Sequence, residues 1–217
     1  MSVSRIKDRV RQIRENARYD ESTVHAILDA GLVAHVGFVD DGQPYVIPML
    51  YARDGDRIYL HGARKARIAQ LLASGAPVCV NVTLLDGVVA ARSAFNSSMN
   101  YRSVVVFGAG RLLEDESEQL RALRVLSEQV FPGRWDELRD PTDSEIRQTA
   151  VIALPIETAT AKVATGPPED ADADYATPVW AGVLPVVTQL LEPEDDGRLL
   201  AGVEVSPAIA ALAGRRL

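Results

Sequence analysis

Hydrophobic and polar residues alternate along most of this chain in short runs separated by Asp-Gly, Gly and Pro signals, the pattern of β-strands joined by tight turns. Leu32 to Val39 reads as a first strand, Asp40-Asp41-Gly42 as a hairpin turn, and Tyr45 to Ala52 as the strand that pairs back. Asp54-Gly55 is a second such turn, leading into Ile58-Tyr59-Leu60. Three strands joined in this way form an antiparallel meander and not a parallel α/β sheet. Further on, Val78, Val80, Val82 and Leu84 alternate with Cys79, Asn81 and Thr83, a strand with one buried face. Asp86-Gly87 is expected to turn the chain into Val88 to Ala94, and a polar loop over Phe95 to Met99 precedes a long strand from Tyr101 to Leu113. Val151 to Val163 reads as the last strand, with Pro155 marking an edge or a bulge.

Helical spacing is confined to a few places. Asp20 can cap a helix carrying Val24, Ile27 and Leu28, with Gly31 as its stop. A second helix is expected over residues 65–74, through Ile68, Leu71 and Leu72, before Ser74-Gly75 breaks the chain. A third covers residues 115–130 with a stripe of Leu120, Leu123, Leu126 and Val130, and Thr142 with Glu145 forms a capping box for a short fourth. Val179 to Leu184 reads as a short turn of helix before Pro185, and the chain beyond about residue 190 is weakly patterned. The fold expected is mainly β (α+β), an antiparallel barrel of six or seven strands with peripheral helices. Its domain covers residues 1–185, with residues 186–217 as a C-terminal extension.

Length and composition agree with one domain plus appendages: 217 residues, 47% of them hydrophobic, can bury a substantial core. No apolar run is long enough to span a membrane, and no secretory signal is visible, so a soluble cytoplasmic protein is expected, with no membrane partner. The single cysteine, Cys79, excludes an internal disulfide and suits a reducing compartment. A formal net charge of −7 disfavours general nucleic-acid binding. That charge is uneven, because residues 1–18 hold six basic and two acidic groups, which leaves −11 for the rest. Val3, Ile6, Val10 and Ile13 share one helical face there. Amphipathic helices of this kind most often pack on the body of the same or a partner subunit, the other options being a membrane-surface or nucleic-acid arm.

One stretch carries candidate chemistry. Ile58 to Leu72 passes from a strand through His61-Gly62 into a helix, and Arg64, Lys65 and Arg67 lie at the junction. A helix opening beside a strand end presents unpaired N–H groups to an anion, and neighbouring cations add the charge-assisted hydrogen bonds a phosphate attracts. The plain alternative is a solvated basic turn. Other chemistries find little support. The three histidines, His25, His35 and His61, show no metal-ligand spacing, no G-x-S-x-G elbow occurs, and Cys79 lies mid-strand. Gly108-Ala109-Gly110 opens like a dinucleotide fingerprint but lacks the third glycine and lies within a strand.

Three segments, Tyr45-Val46-Ile47-Pro48-Met49-Leu50-Tyr51, Tyr59-Leu60-His61-Gly62 and Asn100 to Gly108, follow one another in an order and spacing that resembles the pyridoxamine 5′-phosphate oxidase-like superfamily. The likeness is closest to a bacterial branch of flavin-nucleotide-binding proteins that includes relatives of the nitroimidazole-resistance flavoproteins. Arg18-Tyr19-Asp20, Lys162 with Thr165-Gly166-Pro167-Pro168, and Val179 to Pro185 are similar to that branch too, so the resemblance spans residues 18–185. It implies a split β-barrel forming a homodimer, with FMN in a cleft between the subunits. By this likeness Val46, Ile47 and Pro48 line the isoalloxazine, while Leu60, His61 and Gly62 flank the ring and ribityl chain. Lys65 and Arg67 hold the phosphate, and Asn100, Tyr101, Arg102 and Ser103 contribute from the long strand, in one arrangement across the dimer. No catalytic side chain and no metal are implied. The chain departs from the pattern in two places: Asn96-Ser97 replace a pair of histidines, and Ala66 stands where a phosphate-binding hydroxyl is common. Nor are the substrate-binding residues of true pyridoxamine 5′-phosphate oxidases matched. The implied function is an FMN-dependent oxidoreductase that passes hydride or electrons to a small-molecule acceptor. The alternative is a flavin-binding protein without turnover, or one whose ligand is heme or a deazaflavin.

Overall fold

A computed structural model describes residues 9–217. The elements in chain order are β1 (Ala17–Arg18), α1 (Glu21–Ala30), β2 (Val33–Asp40), β3 (Gln43–Asp54), β4 (Arg57–Ala63), α2 (Arg67–Ala73), β5 (Pro77–Ala90) and β6 (Ser98–Ala109). They continue with β7 (Arg111–Leu112), α3 (Glu116–Val130), α4 (Asp143–Gln148), β8 (Thr149–Pro155), β9 (Thr158–Ala164), β10 (Gly182–Pro185) and α5 (Pro207–Ala210). The expected amphipathic helix over residues 1–16 lies partly outside the described residues; within them, only Arg14–Asn16 is helical, as a single 3-10 turn.

All strands pair antiparallel in the order β1-β9-β6-β5-β2-β3-β4-β8-β7, with β10 on β5, and the path does not close on itself. This is a mainly-β split barrel. Two stretches carry the chain between its halves. In β3, residues 43–50 pair with β2 while residues 51–54 pair with β4. The stretch expected as one strand over 151–163 is two: β8 pairs with β4, and β9 pairs with β6. Pro155, which has no N–H for a ladder, stands at the break. The strand expected over 101–113 likewise breaks at Gly110, where an added Cβ would lie 2.5 Å from Ile152 Cγ2.

The main core fills the barrel with Val36, Tyr51, Ile58, Leu60, Val80, Val104, Val106, Ile152 and Leu154. A second cluster, including Ala52, Tyr59, Val151 and Ala153, lies between the outer face of the β3–β4–β8 half and α3. The buried positions of α3 are Gln119, Ala122 and Leu126, so the buried stripe is rotated from the leucine stripe in the sequence. Gln119 is tolerated there because its amide donates to Leu113 O at 2.6 Å.

Both hairpin turns form as expected, with Asp41 and Gly42 at φ 48° and 80° and Gly55 at φ 57°. Asp86-Gly87, in contrast, does not turn the chain. The strand β5 runs through it with a register irregularity, and the Asp86 carboxylate takes both Arg102 nitrogens at 2.9 and 2.8 Å. Val179 to Leu184 is not helical either; Gly182–Pro185 adds to the far half of β5 as β10. Beyond it, the chain docks against the 131–138 segment, where Arg134 donates to Ser206 Oγ at 3.0 Å, and Leu212 is buried.

Asp20 caps α1 by accepting from Thr23 N at 2.8 Å. Gly31 ends that helix, but at φ −88° it adopts an ordinary backbone conformation, so a left-handed turn does not explain the glycine. Space does. A Cβ on Gly31 would stand 2.6 Å from both Tyr51 Oη and Val82 Cγ1, and the Tyr51 hydroxyl donates to Leu28 O at 2.6 Å. Tyr51 is fully buried and cannot swing away. Gly31→Ala is therefore expected to cost about 2–4 kcal/mol, from overpacking and loss of that buried hydrogen bond. Urea unfolding with an unchanged m-value checks this; a loss below about 0.5 kcal/mol, the range of ordinary surface substitutions, contradicts it.

Candidate functional site

The strand–helix junction is built by β4 ending where β8 ends its pairing. His61, Gly62 and Ala63 pair with Val151, Ala150 and Thr149, after which Arg64 N donates to Gln148 O at 2.8 Å. Ala66 then caps α2 without any side-chain hydrogen bond, because alanine has no acceptor to offer. The first-turn N–H groups of α2 are left for another acceptor. Arg64 and Lys65 are exposed beside them and have no carboxylate partner among the described residues. Arg67 is engaged: its guanidinium lies 4.2 Å from the Tyr45 ring centroid, donates to Tyr45 Oη at 3.1 Å, and places Nε 3.7 Å from Asp40. Tyr45 in turn stacks on Phe38 at 5.3 Å. Arg67 thus ties the start of α2 to the β2–β3 hairpin across the gap where β3 has left β4. The sequence marks Asp40 and Tyr45 only as turn and strand residues, because it holds no local sign of a partner 22 residues from Arg67.

Along β3 the side chains alternate. Val46, 67% exposed, and Pro48 stand on the outer face, whereas Ile47 packs against the barrel core with Tyr45 and Met49. Leu60 is fully buried and pairs with Tyr51 on one side and Ile152 on the other, so it presents no surface to a ligand. Gly62 is half-buried, with no atom within 4 Å of an added Cβ. Arg67 is joined to the β2–β3 hairpin through Tyr45, Val46 and Pro48 stand on the outer face of that hairpin, and His61 and Gly62 lie at the end of β4 just before Lys65. Asn100, Tyr101, Arg102 and Ser103 do not join them: β5 and β2 lie between β6 and β3. Asn100 donates to Gly166 O at 3.0 Å, Arg102 is held by Asp86, and Tyr101 and Ser103 pair with Ala164 and Lys162. Arg92, in the loop before β6, is likewise taken by Asp170 and the Tyr175 ring.

A cavity of about 520 Å³ opens on the other side of β4, a size that suits a cofactor-sized ligand. Leu50 and His61 line it from the sheet, Leu123, Leu126 and Val130 from α3, and Phe131, Trp135 and Leu138 from the segment that follows. Arg139 and Glu145 line it too and form a bidentate pair at 2.9 and 2.6 Å, which holds the Glu145 carboxyl at about 2. His61 Nδ1 is buried with no hydrogen-bond partner, and burial pushes its imidazole below the ordinary value, so it is neutral at neutral pH. Of the three histidines, His61 alone lines this cavity. Nothing in the sequence marks the cavity, because the residues lining it from α3 have the same helical spacing as core residues.

Residues 20–163 match the family model described as pyridoxamine 5′-phosphate oxidase. Among solved structures, the chain is similar to the flavocytochrome Anf3 from Azotobacter vinelandii, at 43% identity over 95% of this chain and 96% of that one, with a TM-score of 0.90. It is also similar to the FAD and heme binding protein from Mycobacterium smegmatis, at 36% identity over 92% and 98% of the two chains, with a TM-score of 0.88. No curated protein sequence matches it. With its split barrel and the length of sequence matched, this chain belongs to the pyridoxamine 5′-phosphate oxidase family.

Proposed function

We propose that this protein is a flavin-binding redox protein, with the flavin phosphate held where β4 gives way to α2. The observation that carries this reading is the pair of unpartnered cations, Arg64 and Lys65, beside the uncapped start of α2 in a chain whose net charge is −7. Basic side chains in so acidic a chain have many carboxylates available, yet these two take none among the described residues. A phosphate accepts from both and from the free N–H groups. Arg67, set by Tyr45 and Asp40, orients the hairpin against that site. Val46 and Pro48 supply an apolar surface for the isoalloxazine, and the main chain of His61 and Gly62 borders the ribityl chain. When bound, the flavin supplies the hydride and electron transfer, and the protein orients it and excludes water. FMN is the nucleotide the family points to; FAD is supported by the 36%-identical protein described as binding it.

For Asn100 to Ser103 to serve the same site, they would come from a second subunit of a homodimer, because β5 and β2 separate them from β3 within one chain. The outer face of the β3–β2–β5–β6 sheet, with Val46, Pro48, Cys79 and Phe107, carries no covering helix among the described residues and suits that contact. Fluorescence titration with FMN, FAD and riboflavin tests the reading. A phosphate-bearing flavin is expected to bind much more tightly than riboflavin, which lacks the phosphate; equal affinities overturn the phosphate site. Reduction of the bound flavin by NADH or NADPH, and its reoxidation by an added acceptor, separate an oxidoreductase from a carrier.

The cavity favours a second reading alongside the first, a heme with His61 as axial ligand. A neutral imidazole with an unpaired buried nitrogen is what iron coordination requires, and the walls are largely apolar. Both similar structures are described by names that include a cytochrome or a heme.

A further inference from the structure

We propose that Glu21, His25 and Asp56 form a binding site for a divalent cation, zinc being the best match, which clamps α1 to the β3–β4 turn. The site is separate from the junction and the cavity and does not depend on the flavin reading. Glu21 and His25 stand one turn apart on α1, so both face the same way. Asp56, in the turn between β3 and β4, comes up beside them, and one donor atom from each residue lies within 4.8 Å of the others.

The histidine points to a ligand. Its Nε2 is inaccessible to solvent and has no hydrogen-bond partner, although Asp56 Oδ1 is 3.5 Å away and the imidazole is only 20% exposed. A desolvated nitrogen without a partner is costly unless something occupies the space before it. Tetrahedral zinc, at about 2.0–2.2 Å from nitrogen and oxygen, holds neighbouring donors roughly 3.4 Å apart, close to the His25–Asp56 separation. Glu21 and a water complete the set. One imidazole with two carboxylates suits zinc and its first-row neighbours better than magnesium or calcium, which prefer all-oxygen shells.

The surroundings hold the donors in place. Asp20 fixes the first turn of α1 through Thr23 N, and Ile156 N donates to Asp56 O at 2.9 Å. Arg53, on the strand that leads into the turn, is occupied by Asp29 in a bidentate pair at 2.7 and 2.6 Å. Arg53 therefore leaves the turn carboxylate to face His25.

Calorimetric titration of the chelator-dialysed full chain with zinc chloride tests this. One saturable equivalent per chain is expected, with a rise in unfolding temperature that chelator reverses. Asp56→Asn and Glu21→Gln, both at exposed positions, are expected to weaken uptake at least about tenfold, and His25→Ala to abolish it. Should His25→Ala fail to fold, the two carboxylate variants still decide the matter. Absence of saturable uptake, or wild-type affinity in Asp56→Asn and Glu21→Gln, overturns the site.

Discussion

The double variant Arg64→Ala/Lys65→Ala is expected to bind FMN or FAD at least about a hundredfold more weakly than the native chain. A hydrogen bond to a charged group contributes about 1.5–3 kcal/mol, so removing two at the lower bound costs about 3 kcal/mol, or two decades of affinity. Neither side chain has a structural partner to lose among the described residues, so fold stability should be unchanged. Riboflavin affinity should not move, because the loss is confined to the phosphate. Both cations are exposed, so native affinity should also fall as salt is raised, and the variant should show a shallower dependence. Arg67→Ala is a less clean probe, because it also removes the stacking and hydrogen bond on Tyr45. Flavin affinity in the double variant equal to that of the native chain contradicts the phosphate assignment.

The largest spectroscopic effect is expected from His61→Ala. Heme added to the native protein should give a strong Soret band, and the variant should lose it, whereas His25→Ala and His35→Ala should keep it. The argument rests on position. His35 stands exposed on the outer face of β2, His25 faces Glu21 and Asp56, and only His61 brings a neutral, unpaired nitrogen to the apolar cavity. Removing His61 leaves no imidazole in the cavity, and the Glu145 carboxylate there is already taken by Arg139. A full Soret band in His61→Ala removes the heme reading and leaves the flavin reading standing.

Much of this fold was legible in the sequence because its local signals and tertiary contacts agree. Asp20, Thr142 with Glu145, and the turns at Asp41-Gly42 and Gly55 each have a local physical cause, and each forms as read. Asp86-Gly87 carries the same turn signal, but Arg102, 16 residues away, takes the aspartate carboxylate and the chain runs straight on. Val179 to Leu184 fails for a related reason: a short apolar run does not declare its period, and the free edge of β5 decided it. The break at Pro155 was read as an edge or bulge; that it moves the chain from one half of the barrel to the other depends on which strands accept it.

The candidate site divides along the same line. Its cations were legible because Arg64, Lys65 and Arg67 adjoin a strand end, but Arg67's engagement with Tyr45 depends on the hairpin folding back. The faces of Val46, Ile47 and Pro48 follow from strand alternation, which separates Ile47 from its neighbours. The pairing of Glu21 with His25 is visible as a one-turn spacing, but the third donor, Asp56, comes from a turn 31 residues further on.

The most direct test of the central claim is the visible absorption spectrum of the freshly purified protein, followed by chromatography of the released chromophore. A two-banded yellow spectrum with a flavin nucleotide in the supernatant is the result predicted. A colourless protein that also takes up neither FMN nor FAD when they are added contradicts it.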